Sequence, residues 1–563
     1  MKKNIYLLPL AAALLFVQGC GQRDASSVSP AIGRDAEIEA KVEKVLKGMG
    51  LTEKVGQMVQ LTSSTVTAPG GVTLDPEKLR KVIGEMKVGS ILNTFGDVAQ
   101  SRELTAQLVG EIQKKSMEEI GIPCIYGLDM IHGASYLTDG TFFPQEINLA
   151  ATFNREYARA MGEAMAYETR AAMVPWVFSP VMDLGRNPVW PRQWESYGED
   201  PYLNAEMAVA ETKALQGEDP NHIDDKHVAV SIKHFMAYGV PVSGKDRTPA
   251  VVAGNDLREK FFRPFKDCLE AGALTLMVNS ASINGIPTHA NKELLTGWVK
   301  DGLDWDGLIV TDWADINNLY ERDHVAKDRK EALAMGINAG IDMIMEPNDP
   351  DCCLELKEVV ESGLIPMSRI DDAVRRVLRL KFRLGLFDNP TWDVSGYDKF
   401  GCKEFQDASY AAAVESEVLL KNEGNILPLE YGRKILVTGP NANSMRALNG
   451  GWSYTWQGDA DRFAGDFNTI YEALAQKFGE KNVIFEPGVV YDETDRWATG
   501  AWQKEYAPQI AKAVAAASKV DVIVACVGEN SYCETPGNID DLNLSANQKE
   551  LVKALSKTGK PII

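Results

Sequence analysis

At 563 residues the chain is longer than one hydrophobic core usually serves, so two domains are expected. A formal net charge of −20, without a lysine or arginine stripe, argues against a nucleic-acid partner, because phosphate binding needs a basic surface to which neutral sugars are indifferent. The seven cysteines beyond Cys20 are scattered without CxxC spacing and suggest neither a disulfide framework nor a zinc site.

In chain order, Lys2 and Lys3 precede an apolar run over residues 5–17, and Gly19 and Cys20 follow before the chain turns polar. That is the pattern of a secretory signal, its apolar part too short to span a bilayer. A small residue followed by cysteine resembles a bacterial lipoprotein signal. It implies lipid on Cys20 as the one membrane attachment, in the periplasm or outer membrane of a Gram-negative bacterium. Gln18 is unusual just before that pair, and a plain cleaved signal is the alternative. Residues 21–36, opening with Ser26, Ser27 and Ser29 among few apolar side chains, read as a flexible tether.

Residues 37–387 repeat a short apolar, β-branched run followed by a longer amphipathic stretch, which predicts parallel strands alternating with helices. The clearest runs are 89–95, 125–129, 176–183, 228–235, 275–282, 308–313 and 341–346. Seven runs are visible, and a (β/α)8-like barrel of about eight strands is the natural closure. Ser368 with Asp371 reads as a capping box for a last helix whose apolar spacing runs to Gly385. Polar residues stand at the downstream ends of five runs: Asp129 with His132, Asp183, Lys233 with His234, Asn279, and Asp312 with Trp313. In a parallel barrel those ends share the face where active sites sit, although any one alone could be a structural cap. The proline-stiffened loop at 185–192 presents Arg192; a surface salt bridge is its bland alternative.

Asp388-Asn389-Pro390 breaks the pattern, so 388–405 reads as a linker and 406–563 as a second, doubly wound α/β domain. Its first helix is expected at 410–421 and its strands at 434–438, 483–486 and 520–527. Gly439-Pro440-Asn441 invites a nucleotide-binding reading but lacks GxGxxG spacing. Lys560-Pro561-Ile562-Ile563 looks like the opening of a further buried strand, so this domain is expected to be C-terminally incomplete.

Several of these stretches together resemble glycoside hydrolase family three, the β-glucosidases and exoglucanases. The likeness rests on Gly127-Leu128-Asp129-Met130-Ile131-His132-Gly133, Glu195-Ser196-Tyr197-Gly198-Glu199-Asp200-Pro201 and Lys233-His234-Phe235. It continues through Asn284-Gly285-Ile286-Pro287, His289-Ala290-Asn291, Val310-Thr311-Asp312-Trp313, Gly450-Gly451-Trp452 and the run from Val527 to Glu534. The resemblance implies a barrel joined to an α/β sandwich, with an oligosaccharide bound at the junction and no metal or cofactor. Asp312 matches the family's nucleophile and Glu534 its acid/base, with Glu529 a rival for the second role. A retaining enzyme of this kind holds its two carboxyls about 5 to 5.5 Å apart. By the same carry-over Asp129, Arg192, Lys233 and His234 would hold sugar hydroxyls, and Trp313, Trp452 and Trp456 would offer flat faces to sugar rings. The chain departs from the family in three places. Ser280 stands where many members have a tyrosine near the nucleophile. Lys233-His234-Phe235 continues into Met236-Ala237-Tyr238, unlike the N-acetylglucosaminidase branch. Gly537-Asn538 stands where Gly-Asp is frequent.

The leading expectation is therefore a retaining exo-β-glucosidase acting on terminal non-reducing glucosyl residues. The alternatives are a β-xylosidase of the same family and a sugar-binding surface protein without turnover. A nucleotide-dependent oxidoreductase is disfavoured by the missing phosphate loop.

Overall fold

The computed structural model describes residues 30–496 and 498–563. The expected signal, with Cys20, lies outside the described residues. The tether expected over 21–36 does not extend through its described end. Ala31 donates its N–H to the Leu303 carbonyl at 3.0 Å, Ile32 is buried, and Asp35 caps the helix Ala36–Gly48.

Six strands, β1 (Val59–Thr62), β2 (Ser90–Leu92), β3 (Ile125–Leu128), β4 (Trp176–Val177), β5 (Ala229–Phe235) and β6 (Thr275–Val278), pair in that order, all parallel. A hairpin, β7 (Ser282–Ile283) with β8 (Ile286–Pro287), stands outside the sheet. β9 (Leu308–Val310) then pairs with β6, and β10 (Ile344–Met345) with β1. A parallel bridge between Val310 and Met343 closes the eight strands into a barrel. Helices cover the outside, so both faces of each strand are buried and the strands read as unbroken apolar runs.

The strand without a counterpart among the expected runs is β1. Gln60 makes it look polar, yet Gln60 is buried and donates to the Ser90 hydroxyl at 2.9 Å. An amide whose NH2 finds a partner inside the barrel sits in the core, which periodicity does not register. The expected capping box at Ser368 is not formed: the helix Met367–Arg383 begins after Pro366, and Asp371 reaches back to the Lys54 ammonium at 2.7 Å. That helix packs along Ala36–Gly48, where the guanidinium of Arg379 meets Glu39.

In the second domain β11 (Ile435–Thr438) lies between β12 (Val483–Phe485) and β13 (Val522–Ala525), all parallel, and Ile562 bridges Ile523 on the far side of β13. Alternate residues of β11 enter two cores. Leu436 packs with Leu551 and Leu555 on one face, and Ile435 and Val437 with Phe478 and Val483 on the other, giving a three-layer α/β sandwich. The helix expected at 410–421 runs instead over Lys403–Ser416, and its buried Ala412 belongs to the barrel's core. Glu168 fastens the stretch before it, accepting from the backbone N–H of Gly401 at 2.9 Å and from the Thr141 N–H and hydroxyl at 2.6 and 2.7 Å.

Barrel closure depends on Asp342. Its carboxylate accepts the Ile309 N–H of β9 at 2.9 Å and the Lys300 ammonium at 2.7 Å, with Arg369 alongside. Removing one member of a buried ion pair strands the other charge, so Asp342→Ala is expected to cost about 3–5 kcal/mol. A denaturant titration that found less than about 1 kcal/mol would contradict this role.

Candidate active site

Asp312 stands two residues beyond β9. Thr311 ties the chain to the next strand by its N–H to the Met343 carbonyl at 3.1 Å, and its hydroxyl accepts the Met345 N–H at 2.8 Å. Ala314, in the left-handed region at φ 56°, then turns the chain away. These bonds fix the Asp312 backbone, whose N–H points at the His289 imidazole at 3.3 Å. One carboxylate oxygen accepts the Trp313 N–H at 2.6 Å; the other, buried, makes no hydrogen bond among the described residues and lies 4.0 Å from His234 Nε2.

Three basic side chains, two from the end of β5 and one from the loop beyond β4, converge on the same space. His234 Nδ1 meets Asp183 at 2.8 Å. Burial, then the cations of Arg192 and Lys233, hold the imidazole well below the usual histidine range, so it is neutral. The contact of Nδ1 with Asp183 orients the ring so that Nε2 lies toward Asp312. Lys233 donates to Asp129 at 2.6 Å, its ammonium 5.3 Å from the centre of the Trp452 ring. Arg192 is fully buried, and its guanidinium grips both Glu195 oxygens at 2.7–3.1 Å. Burial disfavours its charge, but Glu195 and Glu534 beside it outweigh that and raise its pKa.

Glu534 arrives from the second domain. Its backbone lies at φ 52°, ψ −142°, a region close to glycine-only that persists only where the surroundings enforce it. Gln457 exchanges two hydrogen bonds with the Cys533 backbone, at 3.0 and 3.1 Å, just upstream. Downstream, a Cβ on Gly537 would meet Tyr532 at 2.3 Å and Pro191 at 2.9 Å, so only glycine fits. The carboxyl is then seated between cations, 3.3 Å from Arg192 Nη1 and 3.1 Å from Arg247 Nη2.

A cavity of about 710 Å³ is lined by Asp312, Glu534, Asp129, Arg192, Lys233, His234, Trp313, Trp452 and Trp456 together, whereas of the other strand-end residues His132 lines a separate cavity, Asp183 lies behind His234 and Asn279 bonds the Met236 carbonyl. Its size is ordinary for a small-molecule site. Trp452 is almost buried and Trp313 is 37% exposed, so one indole forms wall and the other rim. Glu529, the rival of Glu534, instead lines a separate cavity of about 730 Å³ and accepts the Tyr532 hydroxyl at 2.7 Å. Among the described residues no group of three or more His, Cys, Asp or Glu side chains could hold a metal ion.

Residues 50–380 match the family model described as "Glycosyl hydrolase family 3 N terminal domain", and residues 417–563 match "Glycosyl hydrolase family 3 C-terminal domain". The chain belongs to glycosyl hydrolase family 3. Among family members it is 36% identical over 93% of its length to "Lysosomal beta glucosidase" of Dictyostelium discoideum, and 31% identical over 93% to "Periplasmic beta-glucosidase" of Salmonella typhimurium. It spans 65% and 67%, about two thirds, of the lengths of those relatives. A solved exo-1,3/1,4-beta-glucanase from a Pseudoalteromonas species, a point mutant, superposes with a TM-score of 0.80 at 28% identity, covering 94% of this chain and 82% of that one.

Sequence reading of this family 3 chain missed the cavity residues Arg247, Tyr136 and Thr535. The one available signal for Arg247 was a charged triplet, Lys245-Asp246-Arg247, in the loop beyond β5. That loop bonds to the segment carrying Glu534. Asp246 accepts the Tyr238 and Thr535 hydroxyls at 2.6 and 2.9 Å, its N–H goes to the Asn538 side chain at 2.8 Å, and Lys245 reaches Asp540 at 2.6 Å. Asn538 thus accepts a backbone N–H beside the Asp246 carboxylate, where an aspartate would add a like charge. Ser280 is buried and donates to Asp315 at 2.8 Å while accepting from Arg247 at 2.6 Å.

Asp246→Ala is expected to leave two hydroxyls unpaired, a local cost of about 1–3 kcal/mol. Amide exchange across residues 530–540 should rise about tenfold or more while the barrel strands keep theirs. Unchanged exchange in that segment would show that this bond set does not hold it.

Proposed function

We propose that this chain is a retaining, exo-acting β-glycosidase that releases terminal non-reducing β-D-glucosyl residues from oligosaccharides. The observation that carries the reading is the pairing across one cavity of a carboxylate with a free oxygen, Asp312, and a carboxyl delivered from the other domain, Glu534. In the first half-reaction Asp312 attacks the anomeric carbon as the glycosidic C–O bond breaks, and Glu534 gives its proton to the departing oxygen. In the second, Glu534 takes a proton from water, which attacks the same carbon and releases Asp312. Asp129, Lys233 and Arg192 hold the hydroxyls of the terminal ring through charge-assisted bonds, neutral His234 bonds one through Nε2, and Trp313, Trp452 and Trp456 present apolar faces to the rings. Asp129 beside Lys233 suits a sugar with a hydroxymethyl group, which favours glucose over xylose.

Export with lipid on Cys20 completes the proposal; Lys2, Lys3, the apolar run at 5–17 and Gly19-Cys20 support it.

The test is turnover of 4-nitrophenyl β-D-glucoside. Asp312→Ala should lower it at least about a thousandfold, because the covalent step loses its nucleophile. Glu534→Gln should lower cellobiose hydrolysis about 10²–10⁴-fold and affect the nitrophenyl substrate less, since nitrophenolate leaves without a proton. Sugar binding without turnover in the unsubstituted chain would instead favour a binding protein, and faster xyloside than glucoside turnover a xylosidase. Cys20→Ala should release the protein from the membrane fraction; retention there would sink the anchor proposal.

A further inference from the structure

Glu534 has two cationic partners, and they differ in kind. Arg192 is 1% exposed and already bidentate with Glu195, so its position does not depend on Glu534. Arg247 has no bidentate partner of its own. Its Nη1 donates to the Ser280 hydroxyl at 2.6 Å, its Nε lies 3.6 Å from Asp246, and its Nη2 donates to Glu534 Oε2 at 3.1 Å. Its side chain is 22% exposed and lines the cavity. Ser280 is held in turn by Asp315, which also accepts from Asn318 at 2.6 Å, so the anchor of Arg247 belongs to the barrel.

The strained turn at Glu534 makes a side-chain hold necessary. At φ 52° the backbone alone does not favour this placement, and the two arginines are the side chains that grip its carboxyl. Without Arg247, one oxygen is free to swing within the cavity. A shift of about 1 Å at a reacting group can lower a rate by about 10².

We propose that Arg247 is a positioning residue for the proton donor. It fastens Glu534 of the second domain to the barrel through Ser280, so that the carboxyl meets the glycosidic oxygen on the leaving-group side of the cavity. This rests on the glycosidase reading above. Arg247 exchanges no proton: the proton moves from Glu534 to the leaving oxygen while the bond from the anomeric carbon passes from that oxygen to Asp312. The consequence is selective. A leaving group that needs protonation depends on Arg247, and one that departs as a stable anion depends on it much less.

The experiment compares kcat/KM for cellobiose and for 2,4-dinitrophenyl β-D-glucoside in Arg247→Ala, Arg247→Lys, Glu534→Gln and the Ala/Gln double variant. Arg247→Ala is expected to lose about 10²-fold on cellobiose and at least tenfold less than that on the dinitrophenyl substrate. Arg247→Lys should recover part of the cellobiose loss. The double variant should be no slower on cellobiose than Glu534→Gln alone, because the two residues act as a unit. Equal losses on both substrates, or losses that multiply in the double variant, would overturn the assignment. Should Arg247→Ala not fold, Ser280→Ala removes the anchor without removing the charge and should show the same substrate-selective loss in milder form; an equal loss on both substrates would overturn the proposal. Failure of the underlying reading looks different: the unsubstituted chain would turn over neither glucoside.

Discussion

The site depends on a carboxyl carried across a domain boundary and held against cations of the other domain. Glu534 belongs to the sandwich, yet the groups that seat it, Arg192 and Arg247, come from barrel loops beyond β4 and β5. A backbone in a sparsely populated conformation holds about 1–3 kcal/mol of strain. Here the surroundings that enforce it are on both sides: Gln457 fixes Cys533, and Asp246 and Asn538 join the barrel loop to the segment after Glu534. Domain orientation and active-site geometry are therefore one problem in this molecule. Anything that loosens the junction also moves the carboxyl.

The barrel supplies the opposite quality, rigidity. Its strands are short, but charged pairs inside and behind it are formed: Asp342 with Lys300 and the Ile309 N–H, and Arg383 with Asp306 at 2.9 and 3.0 Å. Buried polar groups that are fully paired specify one arrangement, because any slip would leave a charge unpaired. On that frame the downstream strand ends place Asp129, Lys233, His234 and Asp312 around one space. Among the described residues that line this space, Asp312 Oδ2, Arg192 Nη1 and Trp452 Nε1 are the buried polar atoms that make no hydrogen bond.

Much of this was legible in the residues alone, for a definite reason. Parallel strands buried on both faces write themselves as apolar runs, and side chains just past them meet on one rim, so Asp129, Lys233, His234 and Asp312 could be grouped before any coordinates, although the same rule also put forward His132, Asp183 and Asn279, which do not line the cavity. What could not be read was equally definite. β1 was hidden because a buried amide looks like a surface residue in one dimension. The helix Lys403–Ser416 was placed too far downstream because Val418, Leu419 and Leu420 continue an apolar run although they lie outside the helix and are exposed. Glu529 and Glu534 differ by five positions, and only the loop conformation separates them into two cavities. Arg247 is one of three consecutive charges in a loop, and its meaning lies in a partner 287 residues away.

The central claim is that Asp312 forms the covalent bond to sugar while Glu534 serves it from across the cavity. The most direct measurement is trapping with a 2-deoxy-2-fluoro-β-glucoside bearing a dinitrophenolate leaving group, followed by proteolysis and mass mapping of the labelled peptide. The account predicts one fluoroglucosyl label per chain, on Asp312. A label on any other carboxylate, or full turnover of the natural glucoside with no trapped label at all, would contradict it.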